Sequence, residues 1–259
     1  MFINNFDPVA IEIFSIGIRW YSLAYIFGIL IGWYLAKQYF VSENIKNQFE
    51  DYLTYVIIGL IIGGRVGYVV FYNFEYYLSN PLDIFKIWEG GMSFHGGVIG
   101  IVIASLIFSR KYKSKIFEFL DVIALVSPIG IFFGRIANFI NSELYGHETS
   151  LPWGVKFIQI DNLYRHPSQI YEAILEGFIL FLLLIYFRNK RGFTISGKLS
   201  SLFLILYSSF RFISEYFRVP DEQIGYLIFN LTMGQLISFV FFTIGLILFY
   251  FLNEYKKKT

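Results

Sequence analysis

The chain has 259 residues, of which 56% are hydrophobic, 21% aromatic and only 15% charged, with a mean hydropathy of +0.57. Soluble domains carry about 25% charged residues, so this composition indicates a protein surrounded mostly by lipid. The net charge of +2 does not indicate nucleic-acid binding, and the lack of cysteine excludes disulfides, cysteine-ligated metals and a cysteine nucleophile.

Seven apolar stretches approach or exceed the roughly 20 residues that a helix needs to cross about 30 Å of hydrocarbon. They cover residues 16–36, 52–72, 92–109, 119–139, 170–187, 199–217 and 233–252. Because no basic region precedes the first stretch, we expect it to be retained rather than cleaved as a signal peptide. The sequence predicts one all-α polytopic membrane domain over residues 1–259. Residues 141–169, the longest connection, are predicted to form a small extramembrane cap.

Lysine and arginine are distributed unevenly between the two sets of connections. One side carries 13 of them: Lys37, Lys46, Arg110, Lys111, Lys113, Lys115, Arg188, Lys190, Arg191, Lys198, Lys256, Lys257 and Lys258. The other side carries four: Lys86, Lys156, Arg165 and Arg218. Because cytoplasmic loops are enriched in Lys and Arg, we predict that the N-terminus lies outside and the C-terminus in the cytoplasm.

The remaining arginines, Arg19, Arg65, Arg135 and Arg211, lie within predicted spans, close to the outer face in this orientation. An arginine at the bilayer centre costs roughly 2.5–3.5 kcal/mol, so several together need partners, water or an anionic ligand. Snorkelling to the outer headgroups is the simpler interpretation for Arg19. Arg135 and Arg211 lie among further polar residues, which favours a functional role.

Three stripes of polar residues follow helical spacing, which places each stripe on one face of a helix. They are Arg135, Asn138 and Ser142 in GRIANFINSELYG, Gln169, Glu172 and Glu176 in RHPSQIYEAILEG, and Tyr207, Arg211, Glu215 and Arg218 in LYSSFRFISEYFRVPDE. Arg211 and Glu215 can pair, and the carboxylates of the middle stripe can compensate the arginines of the other two. A salt bridge that only fixes helix packing is the alternative interpretation.

His95 lies between glycines in the stretch EGGMSFHGGVIG, at the start of the third predicted span. A histidine at a helix start is more often a cap or an interfacial residue than a catalyst. The neighbouring glycines, however, allow a backbone or a ligand to approach closely. The three histidines of the chain have no metal-ligand spacing, so we predict no metal site.

Six motifs in order span nearly the whole chain: RWYSLAY at 19–25, GGRVGYVVFYN at 63–73, GGMSFHGG at 90–97, GRIANFINSELYG at 134–146, RHPSQIYEA at 165–173 and FRFISEYFRVPDEQIG at 210–225. Together they resemble the bacterial prolipoprotein diacylglyceryl transferase family. The resemblance implies a multi-pass enzyme of the inner membrane with its active site toward the periplasm. It also implies transfer of the diacylglyceryl group of phosphatidylglycerol to the lipobox cysteine of a preprolipoprotein, giving a thioether and glycerol 1-phosphate.

The resemblance also implies roles for individual residues and partners. Those expected to be catalytic are His95, Arg135 and Arg211, and those expected to bind substrate are Tyr21, Arg135, Asn138, Glu143, Gly146 and Glu215. We expect Arg135 at the lipid phosphate, because arginine binds phosphate bidentately and stays cationic. His95 has a pKa suited to a general base, although an orienting role stays open. The expected partners are phosphatidylglycerol, the preprolipoprotein signal peptide and the bilayer, without nucleic acid, cofactor or metal.

Two other functions compete with this interpretation. A transporter or channel for an anionic solute could use the same arginines, but the inner halves of the last four spans carry almost no polar residues to line a path. An intramembrane serine protease could pair Ser93 with His95. These residues are two positions apart at a helix start and point in different directions, contrary to the geometry that a nucleophile and its base require.

Overall fold

The computed structural model describes residues 1–13, 16–87, 90–220 and 225–258, so residues 221–224 of the sixth motif lie outside the described part. Within these ranges the α-helices are α1 Trp20–Leu35, α2 Phe49–Tyr72, α3 Phe74–Ser79, α4 Phe94–Tyr112, α5 Ile116–Ile140, α6 Ser168–Glu172, α7 Leu180–Arg188, α8 Lys198–Ser214 and α9 Met233–Lys258. The strands are β1 Phe2–Asn4, β2 Val9–Ile13, β3 Ile16–Arg19, β4 Val155–Phe157 and β5 Tyr164–Arg165. A π-helical segment, Ala173–Ile179, joins α6 to α7.

Five helical segments of the described chain are long and apolar enough to cross a membrane: Lys46–Tyr72, Phe94–Tyr112, Ile116–Ile140, Ser168–Arg188 and Met233–Glu254. They correspond to five of the seven predicted spans, which supports a mostly helical, multi-pass membrane protein. The other two predicted spans contain α1 and α8, which have 16 and 17 residues. α8 is shorter than a full crossing normally needs, whereas α1 continues without a break into five π-helical residues, Ala36–Phe40. The first predicted span also begins too early, because strand β3 precedes α1.

The chain divides into two compact units, one of residues 1–40 with 123–259 and the other of residues 41–122. In the second unit, α2 and α4 pack closely along a row of small residues. A Cβ added to Gly67 would lie 2.7 Å from the Cα of Gly96. Small residues spaced four apart allow this close approach of membrane helices. Beside them, the buried Tyr52 hydroxyl bonds Ser105 Oγ at 2.9 Å.

The first unit has an apolar core to which α5, α7 and α8 contribute. Its buried members are Leu125, Leu180, Leu184, Leu199, Leu202 and Tyr207. Beyond this core, the buried residues toward the C-terminal end of α8 are polar and include Arg211 and, just after the helix, Glu215. The same helix therefore contributes Leu199, Leu202 and Tyr207 to the apolar core and carries Arg211 in its last turn.

The connection between α5 and α6 contains short strands that the sequence analysis did not predict. β4 pairs in parallel with β1, where Phe2 lies opposite Val155, and in antiparallel with β5. The side chain of Asn4 donates to the carbonyl of Phe139 at 2.6 Å, which ties β1 to the end of α5. β2 and β3 form a separate antiparallel hairpin. Strands of two to five residues are too short to show an alternating pattern in the sequence.

Candidate active site

A buried network of ion pairs connects α5, α6, the π-helical segment and α8. Arg135 lies 2.9 Å from Glu172 (Nε to Oε2) and 3.2 Å from Glu176 (Nη2 to Oε2). Arg211 approaches the same two carboxylates through Nη1, at 2.6 Å from Glu172 Oε1 and 3.5 Å from Glu176 Oε1. Both glutamates are fully buried. The predicted compensation of the arginines by this carboxylate stripe is confirmed.

Glu215 continues the network at the end of α8. Arg211 Nη2 pairs with its Oε1, as the spacing of four residues predicts, and Arg218 Nη1 lies 3.0 Å from the same oxygen. Thr232 donates its hydroxyl to Oε2 at 2.6 Å. Thr232 also caps α9 together with Gln235, because the Gln235 amide donates to Thr232 Oγ1 and the Thr232 amide to Gln235 Oε1, both at 3.1 Å. The start of α9 is thereby linked to the network.

The charges of the network balance, since three arginines face three glutamates in the ion pairs described. Separate burial of these ions would be costly, whereas shared ion pairing offsets part of the lost hydration. The side chain of Arg135 is 15% exposed, against 7% for Arg211 and 8% for Arg218. Arg135 is therefore the most accessible of the three cations.

The π-helical segment gives Glu176 its position. Glu172 ends α6, and Glu176 follows within Ala173–Ile179, where the backbone has one extra residue per turn. Such segments are rare and recur at functional sites. Gly177, next to Glu176, lies so close to α5 that an added Cβ would be 2.7 Å from Phe132 Cβ. The glycine therefore brings the carboxylates within reach of Arg135.

Asn138 and Glu143 interact directly in the turn that follows α5. The Asn138 side chain donates to Glu143 Oε2 at 2.9 Å, and its carbonyl accepts from the Glu143 amide at 2.9 Å. Gln169 of α6 donates to the Glu143 carbonyl at 2.5 Å. Ser142 and Leu144 adopt positive φ angles of 58° and 55° on either side of Glu143. These contacts define the turn, and the substrate-binding roles of Asn138 and Glu143 stay predictions.

Gly146 lies between two other backbone segments. Its amide donates to the His166 carbonyl at 3.0 Å, and the next amide, of His147, donates to the Phe217 carbonyl at 2.9 Å. An added Cβ at Gly146 would lie 2.5 Å from each of these carbonyl oxygens. The close approach explains the glycine by packing. It also places the segment just after α8, which carries Arg218, beside the connection between α5 and α6.

His166, in the same connection, has a pKa lowered below its ordinary value, mainly by burial and also by the nearby charge of His147. Its ring bonds the Tyr171 hydroxyl at 3.1 Å, and that hydroxyl also accepts from Trp153 Nε1 at 2.8 Å. Arg165 pairs with Asp161 at 2.5 Å and keeps the pKa of this carboxyl below its ordinary value. These residues stabilise the connection and are not part of the ion network.

Neither Tyr21 nor His95 takes part in the ion pairs described above. Tyr21 lies in the first turn of α1, with its ring 5.3 Å from that of Tyr25. His95 belongs to the second unit and is the second residue of α4, as expected for a residue at a helix start. Ser93 caps this helix, because its hydroxyl accepts from the Gly96 amide at 3.2 Å. That role in the helix cap weakens the case for Ser93 as a nucleophile.

The sequence analysis missed several members of the network as site residues. Glu172 and Glu176 were expected only to compensate charge, yet they join Arg135 to Arg211. Thr232 was not noticed, although Thr232 and Gln235 ahead of an apolar run form a helix-capping pattern. Among the described residues, no group of three or more His, Asp or Glu side chains has the arrangement of a metal site.

Comparisons with known proteins bear on the activity of this site. A family model described as "Prolipoprotein diacylglyceryl transferase" matches residues 8–251. The phosphatidylglycerol–prolipoprotein diacylglyceryl transferase of Rickettsia bellii is 49% identical over 249 residues, which is 94% of either chain. The corresponding proteins of Rickettsia felis and Rickettsia typhi are each 48% identical, covering 93% and 98% of this chain and 95% and 100% of their own.

Proposed function

Because the chain belongs to the prolipoprotein diacylglyceryl transferase family, we propose that its buried ion network binds the phosphate of phosphatidylglycerol. The chain is a transferase that moves the diacylglyceryl group of phosphatidylglycerol to a prolipoprotein. One observation carries the proposal: Arg135 and Arg211, on different helices, are held together by the shared carboxylates of Glu172 and Glu176. The family assignment does not support the alternative of an anion transporter.

The reaction requires positive charge at a defined place. The thiolate of the lipobox cysteine attacks the carbon of the diacylglyceryl group that is bonded to a phosphate oxygen. A C–S bond forms at this carbon, and its C–O bond to the phosphate breaks. The thiol proton passes to a base, and glycerol 1-phosphate leaves with the additional negative charge. Donors that are already in place for that charge lower the barrier, and arginine supplies two parallel donors without losing its own proton.

Arg135 is the arginine best placed to bind the headgroup. Its ion pairs within the described chain use Nε and Nη2, which leaves Nη1 for a ligand. Its side chain is also twice as exposed as that of Arg211. A phosphate that binds Arg135 can replace Glu172 as an anionic partner of this arginine. Glu172 then keeps its ion pair with Arg211. When an anion binds, each carboxylate of the network therefore still has an arginine neighbour, and the added negative charge lies at Arg135, the most exposed of the three cations.

Arg211 has a different role in the proposal. Three carboxylates surround it, those of Glu172, Glu176 and Glu215. It fixes the orientation of Glu172 and supplies positive potential to the leaving phosphate. Glu215 in turn holds Arg211, and Thr232 holds Glu215. We propose Tyr21, Asn138 and Glu143 as substrate-binding residues and His95 as the general base, on the strength of the family motifs.

The proposal includes the arrangement of the protein in the membrane. The short helices α1 and α8 complete seven spans, with the N-terminus outside and the C-terminus in the cytoplasm, as the distribution of basic residues favours. The active site then opens to the periplasmic side of the bacterial inner membrane, and residues 141–169 form a cap there. The second substrate is the signal peptide of the preprolipoprotein.

Replacement of Arg135 tests the proposal. Arg135→Ala should lower transfer from labelled phosphatidylglycerol to a lipobox peptide in detergent by about 10²–10³-fold, the loss typical of one removed oxyanion donor. The matched control is Arg19→Ala, which removes an exposed arginine from the same unit and should keep wild-type activity. Thermal unfolding of both variants checks folding. Full activity in a folded Arg135→Ala protein would remove the network from the mechanism.

A further inference from the structure

Arg65 is buried near the C-terminal end of α2, with 4% of its surface exposed. Backbone carbonyls alone accept its described hydrogen bonds. Nε donates to Ile84 at 2.8 Å, and the remaining bonds run from Nη1 to Gly90 at 2.5 Å and Gly91 at 3.1 Å, and from Nη2 to Asp83 at 2.6 Å and Lys86 at 3.3 Å. Its guanidinium also lies over the Tyr77 ring, 5.2 Å from the centroid.

The number of these bonds determines what Arg65 can do. A guanidinium has five N–H donors and no acceptor, and the described residues supply five carbonyl acceptors. No donor is left for a phosphate or a carboxylate. Arg65 is therefore unsuited to bind the headgroup, in contrast to Arg135, whose Nη1 is available.

The carbonyls that Arg65 binds lead directly to the start of α4. Gly91 has a φ angle of +79°, and two residues later the Ser93 amide donates to the carbonyl of Gly64 at 2.8 Å. Consecutive residues of α2, Gly64 and Arg65, thus hold the backbone on both sides of Met92. Ser93 then caps α4, and His95 lies in its first turn.

We propose that Arg65 is a positioning residue that fixes His95 for diacylglyceryl transfer. The inference rests on the general-base role proposed for His95. The fixed fork of the guanidinium holds Asp83, Ile84, Lys86, Gly90 and Gly91 at one point, and this sets the path of the backbone into α4. A lysine keeps the charge but has three donors on one nitrogen, so it cannot hold five carbonyls spread over this segment.

Arg65→Lys tests this positioning role in the full-length protein in detergent. We expect kcat to fall roughly 10- to 100-fold, as for a reacting group misplaced by about 1 Å, while KM for phosphatidylglycerol stays unchanged. Combined with His95→Gln, it should cause no further loss, because both changes remove the same contribution. Diethyl pyrocarbonate carbethoxylates histidine, and mass spectrometry follows the modification of His95. We expect the rate of this modification to differ between the wild-type protein and Arg65→Lys. This measurement does not depend on transferase activity.

Two glycines provide a matched pair for the same test. Gly90 and Gly91 both have positive φ angles, so alanine strains the backbone at either position. A Cβ at Gly91 would lie 2.8 Å from Arg65 Nη1 and 2.6 Å from the Tyr68 ring, whereas a Cβ at Gly90 meets nothing within 4 Å. Gly91→Ala should reproduce the kcat loss of Arg65→Lys, and Gly90→Ala should retain most of the activity. This pair decides the question if Arg65→Lys does not fold.

Three results would overturn the assignment: wild-type kcat in Arg65→Lys, equal losses in the two glycine variants, or additive losses with His95→Gln. The outcome is separable from that of the proposed phosphate site, because Arg135→Ala tests the latter alone. An active Arg65→Lys beside an inactive Arg135→Ala would reject only the positioning role.

Discussion

Arg65 and Arg135 each lie in the C-terminal third of a long apolar helix, but their surroundings differ. Arg65 donates to five backbone carbonyls and meets no carboxylate among its described hydrogen bonds and ion pairs. Arg135 faces two carboxylates that it shares with Arg211. Carbonyl dipoles can hold a cation permanently, whereas a carboxylate carries the same charge as a phosphate and can be exchanged for one. The first surroundings suit a structural arginine and the second a binding site.

The largest loss of stability and transfer is expected when a carboxylate shared by Arg135 and Arg211 is removed. Glu172→Gln leaves three arginines facing two glutamates in the interior, and an uncompensated buried charge typically costs 3–5 kcal/mol. We expect the free energy of unfolding to fall by about that amount, with loss of transfer, as measured by thermal unfolding and by product formation. Glu75→Gln, which changes an exposed glutamate, is the control. An unchanged unfolding midpoint in Glu172→Gln would contradict the account of a charge-balanced network.

A smaller effect is expected where backbone packing supports the network. Gly146→Ala places a Cβ 2.5 Å from the carbonyl oxygens of His166 and Phe217, and overpacking of this kind costs about 1–3 kcal/mol. Because the displaced segment includes Arg218, transfer should decrease together with stability. Gly192→Ala, at a position with open space around it, should change neither. Loss of transfer without loss of stability would instead favour the predicted contact of Gly146 with substrate.

The smallest effect should come from the connection between α5 and α6 and should depend on pH. Burial lowers the pKa of His166 in the folded protein, so the unfolded chain binds this proton more readily. The contribution of His166 to stability is therefore complete above about pH 6.5 and is lost as the pH falls through its folded pKa. His166→Gln should flatten the dependence of the unfolding midpoint on pH between 7 and 5. An equally steep dependence in the variant would assign the acid sensitivity to other groups.

Part of this arrangement was predictable from residue spacing. Apolar runs indicated the long helices, and the spacing of four residues correctly paired Arg211 with Glu215. The stripe of Glu172 and Glu176 was correctly expected to compensate the arginines, because charges in lipid need partners. The π-helical segment and the short strands were not predicted. Both are local departures from regular geometry that leave no periodic pattern.

The role of Arg65 could not be predicted from the sequence, for a different reason. Its partners are backbone carbonyls, which every residue carries, so no residue type marks them. Arg65 and Arg135 both read as arginines near the end of an apolar run that contains glycine. The acceptors around each arginine distinguish them, and these acceptors depend on the course of the chain after the helix.

Binding of a phosphatidylglycerol headgroup tests the central claim most directly. Short-chain phosphatidylglycerol should raise the unfolding midpoint of the wild-type protein in detergent, because a ligand that binds only the folded state stabilises it. The account predicts that Arg65→Lys keeps this shift and that Arg135→Ala loses it, while both proteins stay folded. A shift that persists in Arg135→Ala, or one that disappears in Arg65→Lys, would contradict it.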